Sequence, residues 1–192
     1  NTDGSILHGG SGNFDIVADT VTNRTINGLT NAEGVLTGAL IGSNGSLIID
    51  DFDTIVNQSS NGGLFSVINA DHLELTTDRA GASVTNTGGV LYAGGANSMV
   101  LDVATLDNQD GLVTSFGDVS LTTSNLFNGT GSVQSQQDVI LNLPNFNLSN
   151  GALNAGGNLV INTSGDVVNN SGNDLVATGG LTINTTGNFT NY

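Results

Sequence analysis

The residues able to do chemistry are few. Lys and Cys are absent, and 17 acidic residues face two arginines, Arg24 and Arg79, for a formal net charge of −15. The densest carboxylate group is IIDDFDTI at 48–55, which holds Asp50, Asp51 and Asp53. Paired carboxylates can move protons or ligate a hard cation such as Ca²⁺. On a strand, however, Asp51 and Asp53 share one face and Asp50 takes the other, so the three stand only as weak calcium candidates. His8 and His72 are 64 residues apart, and neither has a second histidine nearby. Without Cys there is no thiolate nucleophile or disulfide, and without Lys no P-loop. GGSGN (9–13) and GTGS (129–132) lack the full dinucleotide fingerprint and read as corners. The expectation is a protein that is not an enzyme, with no catalytic residue, resident metal or cofactor.

The elements that would position these groups follow from a repeat. An apolar-x-Asn unit recurs as VTN (21–23), IVN (55–57), VTN (84–86), LDN (106–108), LFN (126–128), LSN (148–150), VVN (167–169) and FTN (189–191). Asn57 to Asn86 is 29 residues, and the following intervals are 22, 20, 22, 19 and 22. A period near 20 is too short for a propeller blade and fits one turn of a parallel β-solenoid. Each period opens on a Gly-led strand such as GVLYAGG (89–95) or GALNAGG (151–157). An alternating strand follows, such as DVSLT (118–122), DVILN (138–142), NLVIN (158–162) or GLTIN (180–184). The period closes on the short Asn-ended strand. Three strands per coil make the fold all-β, a triangular parallel coil.

Strand alternation sends Val119 and Leu121, Val139 and Leu141, Leu159 and Ile161, and Leu181 and Ile183 inward. Asn23, Asn57, Asn86, Asn108, Asn128, Asn150, Asn169 and Asn191 become structural corners. Two properties suit Asn there: tolerance of φ > 0, and a short amide that bonds stacked copies of itself.

Two stretches exceed the period. Asn23 to Asn57 spans 34 residues, making 24–57 a long coil with an insertion within 24–45, and 58–86 carries a smaller excess assigned to TTDRAGAS (76–83). Insertions in solenoids leave the coil as loops, often on a binding face. Arg24 and Arg79 lie in these two segments and are therefore the candidate binding residues.

The acidic surface repels phosphate backbones, so nucleic acid is not an expected partner. No apolar run is long enough to cross a bilayer, so this segment is not expected to insert into a membrane. NTDGSILHGG lacks the basic start and apolar run of a signal peptide. The chain starts and stops inside its own pattern, which is read as a single β-helical segment, 1–192, cut from a longer protein. Asn-x-Ser/Thr triplets are frequent, as at Asn44, Asn147, Asn162, Asn184 and Asn188, and mark glycosylation candidates.

The Gly-x-Leu-x-Ala-Gly-Gly strand, the alternating strand and the apolar-x-Asn closure at a period near 20 resemble the repeats of filamentous haemagglutinin. Those repeats occur in two-partner-secreted exoproteins: adhesins, haemolysin-like proteins and the stalks of contact-dependent inhibition effectors. The resemblance covers nearly the whole chain and is clearest in 87–191. It implies a right-handed parallel β-helix exported through an outer-membrane transporter barrel to the bacterial surface, in a virulence or cell-adhesion setting. The functional expectation is a structural shaft holding distal binding or effector regions away from the cell. The first alternative is a module that binds a host or neighbouring-cell receptor or glycan through loops 24–45 and 76–83. The second is a polysaccharide lyase or hydrolase on a β-helix.

Overall fold

The structure is a computed structural model and describes residues 1–192 apart from 31, 33, 97, 149 and 150. It is all-β, with parallel sheets stacked as a β-solenoid and no helix among the described residues. Gly, Asn and β-formers in short alternating groups favour this outcome, because a turn every few residues leaves no room for a helical nucleus.

Three walls enclose the core. The first is an eight-stranded sheet running from Ser5–His8 through Gly89–Ala93 to Asp174–Ala177. Its register advances 23, 22, 20, 20 and 22 residues from Val67 through Val90, Leu112, Ser132 and Ala152 to Asp174. That regular stretch, continued to the C-terminal residue, makes about six turns of about 22 residues, and wider turns precede it. The second wall runs from Asn13–Val17 to Leu181–Thr185. The third carries Thr20–Thr25, Thr54–Ser59 and Ser83–Thr85. In two central turns the second and third walls share one nine-residue strand, Met99–Asp107 and Val119–Phe127.

Alternation fills the bore. Leu73, Met99, Val119, Val139 and Leu159 form one fully buried row on the second wall; Leu75, Leu101, Leu121, Leu141 and Ile161 form the row beside it. Leu181 continues the first row, paired with Leu159, but is 49% exposed; Ile183 is partly buried.

The Asn residues form a ladder along the corner between the third and first walls. Each Nδ2 donates to the next Oδ1: Asn1 to Asn23 (2.8 Å), Asn23 to Asn57 (2.9 Å), Asn57 to Asn86 (2.7 Å), Asn86 to Asn108 (2.8 Å) and Asn108 to Asn128 (2.8 Å). A second bond ties Nδ2 to a first-wall carbonyl, as from Asn108 to Ser132 (3.1 Å). Gly is required opposite: a Cβ at Gly111 would stand 2.1 Å from the Asn86 carbonyl oxygen, and one at Gly131 1.9 Å from that of Asn108. The described ladder asparagines do not adopt the left-handed backbone expected of them. Outside glycine, positive φ occurs among the described residues only at Asp3, Asp51 and Asp110. The ladder asparagines therefore act through their amides, not through left-handed backbone.

Among the described residues the ladder stops at Asn128 and resumes at Asn169. The third wall breaks after Phe127, and a new three-stranded sheet begins at Phe146–Leu148, with Leu148 opposite Asn169 and Asn169 opposite Asn191. Asn150, expected as a corner, lies outside the described residues, and the register gives the corner position to Leu148, which is buried to 1% exposure. Leucine has no donor, so the Asn169 Oδ1 is a buried acceptor without a partner, while its Nδ2 donates to Asn191 (2.8 Å). Across the gap, Asn128 Nδ2 donates to the carbonyls of Gly131 (3.0 Å) and Ala152 (3.3 Å).

Register also locates the extra residues. Asn23 to Leu40 takes 17 residues where Asn86 to Val90 takes 4, thirteen more, which form an arm with an antiparallel pair, Leu29–Thr30 and Leu36–Thr37. Asn57 to Ser66 takes 9 where Asn86 to Gly89 takes 3, placing six extra residues in 58–65. Thr76 to Ser83 takes 7 where Asp102 to Thr105 takes 3, placing four in 77–82.

Candidate functional site

The acidic group and Arg79 meet at the corner between the second and third walls. The 77–82 loop brings Arg79 over two turns below it: its guanidinium lies 2.6 Å from Asp19, 2.8 Å from Asp51 and 3.2 Å from Asp53. The Asp51 carboxyl is held below the usual carboxylate range, first by the hydrogen bond from Arg79 and then by its charge. The same three carboxylates raise the pKa of Arg79. A guanidinium pinned in this way cannot serve as a base. Two of the three calcium candidates, Asp51 and Asp53, are thus already paired with a protein cation. Asp50 instead pairs in register with Thr76 and lines a cleft of about 330 Å³ with Asp78 and Asp102. Among the described residues no group of three His, Asp or Glu side chains could hold a metal ion.

Arg24 is elsewhere. It is exposed on the third wall, beside Gln58 in register, and its guanidinium makes no ion pair among the described residues. The structure does not bring the two arginines together. His8 bonds Ser43 Oγ through Nδ1 (3.1 Å) and packs on Phe14. His72 Nδ1 contacts the Ser98 carbonyl, and its Nε2 lies 3.6 Å from Glu74. His8 thus has a serine hydroxyl and His72 a carboxylate beside it, but among the described residues no carboxylate pairs with His8 and no third ligand joins His72 and Glu74.

A second concavity adjoins the arm, at the ladder corner. Asp3, in left-handed backbone, accepts from the amides of Ile26 (2.7 Å), Asn27 (3.1 Å) and Gly28 (3.0 Å), which lowers its pKa. Thr25 Oγ1 accepts from the Ala39 amide (2.8 Å) and from Ser66 Oγ (2.9 Å). These contacts fix the two ends of the arm, and between it, the 58–65 loop and the first wall lies an apolar groove of about 480 Å³, lined by Leu36, Leu64, Phe65, Val67, Val90 and Tyr92. Phe65 is 59% exposed, and Tyr92 packs edge-on against exposed Phe116 at 5.8 Å. Sequence reasoning singled out the arm but not the groove. The available signal was the apolar residues Leu29, Leu36, Leu64 and Phe65 lying off the strand alternation.

A wider concavity, about 760 Å³, follows the corner at Pro144 and is lined by Asn162, Thr163, Asn184 and Thr185. Asn184 donates to Asn162 (2.8 Å) and Asn162 to Asn142 (2.9 Å), so these amides form a second, outer ladder with no acid or base in it.

Fold and sites together define a parallel β-solenoid with a bonded Asn corner, an ion-pair staple and an apolar groove beside its arm. No family model, curated protein or solved structure matches the chain.

Proposed function

We propose that this chain is a non-enzymatic shaft segment of a large secreted bacterial surface exoprotein of the filamentous haemagglutinin type. Its role is to hold distal binding or effector regions away from the cell. The observation that carries this reading is the amide ladder, whose bonds of 2.7–2.9 Å run unbroken from Asn1 to Asn128 inside a parallel stack. A ladder of buried amides adds directional bonds between turns and resists bending, which suits a spacer. Export through an outer-membrane barrel and a place at the cell surface belong to the same proposal, and rest on the resemblance in the repeat. Pinning of Arg79 by three carboxylates removes the strongest candidate base from the polysaccharide-enzyme alternative.

A second reading, a glycan- or receptor-binding module, is favoured by the aromatic-edged groove beside the arm, and not by the 76–83 loop, whose arginine is committed to the staple. A glycan array probed with the chain and with a variant whose 26–38 arm is shortened separates the two. The shaft reading expects no retained glycan. Binding that disappears on shortening would favour the module. Reducing-end and unsaturated-product assays, with and without calcium, test the enzyme reading, and turnover lost on replacing Asp50, Asp51 and Asp53 together would overturn the shaft.

A further inference from the structure

Five Asn-Gly pairs occur in the chain, at 27–28, 44–45, 61–62, 128–129 and 150–151. Asn-Gly is the dipeptide in which the following amide nitrogen most easily reaches the side-chain carbonyl, since glycine places no Cβ in its way. The structure treats the five differently. Gly28 N–H is bound to Asp3 Oδ1 (3.0 Å), Gly45 N–H to Ser43 Oγ (3.1 Å) and Gly151 N–H to Asn173 Oδ1 (3.0 Å). At 128–129 the side chain is locked instead. The Asn128 amide is 4% exposed, accepts from Asn108 (2.8 Å) and donates to Gly131 and Ala152.

Asn61 lacks the first protection and has only a looser form of the second, one long bond at each end of a half-buried amide. It lies in the 58–65 loop, half-buried, between Ser60 and exposed Gly62 and Gly63. Among the described residues no acceptor holds the Gly62 N–H. The Asn61 Oδ1 accepts instead from the Gly63 amide (3.2 Å). That bond draws electron density from the side-chain carbonyl and stabilises the oxyanion that forms when a nitrogen attacks it. The attacking group is free, and the attacked group is polarised.

We infer that Asn61 is a self-modification site, at which the Gly62 backbone nitrogen attacks Asn61 Cγ and converts the residue to aspartate or isoaspartate. The steps balance without any further reactant than water. The Gly62 N–Cγ bond forms, the Gly62 amide proton passes through solvent to Nδ2, the Cγ–Nδ2 bond breaks, and Nδ2 departs as ammonia. Water then opens the cyclic imide at either carbonyl. The product has lost the Nδ2 donor that reaches the Asn27 carbonyl (3.4 Å), the side-chain tie between the 58–65 loop and the arm. It also places a carboxylate three residues from Leu64, on the lip of the apolar groove. Ageing of the chain therefore loosens and charges that rim while the buried ladder keeps its amides.

The test is peptide mass mapping of the whole chain after incubation at pH 7.5 and 37 °C, folded and in concentrated urea. Folded protein should convert Asn61 at least about tenfold faster than each of the other four sites, the equivalent of about 1.4 kcal/mol in barrier. In urea the five rates should converge. Gly62→Ala, whose added Cβ meets nothing within 4 Å, should fold normally and slow Asn61. Ser43→Ala frees the Gly45 amide and should speed conversion of Asn44. Conversion of Asn61 in the folded chain no faster than at Asn27 or Asn44 would overturn the inference, as would an unchanged rate in Gly62→Ala.

Discussion

Replacing Asn108 by Ala removes the middle of the amide ladder. In the folded chain its Oδ1 accepts from Asn86, and its Nδ2 donates to Asn128 and to the Ser132 carbonyl, at 2.8, 2.8 and 3.1 Å. The residue is fully buried, so water cannot replace these partners. Asn86 Nδ2 keeps its bond to the Leu112 carbonyl (3.1 Å) and loses only half its function. Asn128 Oδ1 and the Ser132 carbonyl lose this donor altogether. With two buried groups stranded, Asn128 Oδ1 and one Nδ2 hydrogen of Asn86, at about 1–3 kcal/mol each and a small void beside them, the expected loss is about 3–6 kcal/mol. Urea unfolding followed by far-ultraviolet circular dichroism reads it directly. Asn191→Ala is the control, because its partner bond from Asn169 is exposed, and it should cost about 0.5 kcal/mol or less. If Asn108→Ala unfolds within about 0.5 kcal/mol of the parent, the ladder is not the stabilising element.

Other outcomes follow from the same geometry. Leu148→Asn should be far milder than Leu141→Asn, because it supplies the missing donor to Asn169 Oδ1; a loss of about 1 kcal/mol or less is expected, against about 3 or more, on the same urea curves. Gly111→Ala should cost more than about 3 kcal/mol, since its Cβ would stand 2.1 Å from a backbone oxygen, whereas Gly62→Ala should be neutral. Asp51 and Asp3 have folded-state pKa values below their unfolded ones, by the Arg79 hydrogen bond and by the Ile26 and Asn27 amides respectively. Their stabilisation is therefore present above the ordinary carboxylate pKa and is lost as pH falls through the lowered values. Arg79→Met and Asp3→Asn should each flatten the acid limb of the stability curve below about pH 4, and an unchanged limb would contradict the assigned partners.

Much of the fold is legible in the sequence because a stacked coil repeats its constraints. Val119 and Leu121 or Leu159 and Ile161 read as inward pairs from alternation alone, and the Asn period marks the turn length. The slip at 148 shows where such reading fails. LSN (148–150) has the right residue types, yet FNL (146–148) holds the register, and only strand pairing tells the two apart. The corner asparagines were legible as corners, but their mechanism was split between backbone and side chain until the φ values excluded the first. The staple was partly legible, in the carboxylates of 48–55. Arg79 and Asp19, which are 60 residues apart, meet only because the solenoid stacks them. The groove was not legible, since its walls come from the arm, from the 58–65 loop and from three first-wall strands.

Rigidity over distance is the central claim, and pulsed spin-label distances measure it most directly. The chain has no cysteine, so introduced labels are unambiguous. Asp15, Ile48, Val100 and Thr182 lie in one outward row of the second wall, with Thr182 four turns from Val100, six from Ile48 and seven from Asp15. At ~4.8 Å per turn the backbone separations are about 19, 29 and 34 Å. A shaft predicts narrow distributions whose centres rise linearly with the number of turns. Broad distributions, or distances that level off between six and seven turns, would contradict it.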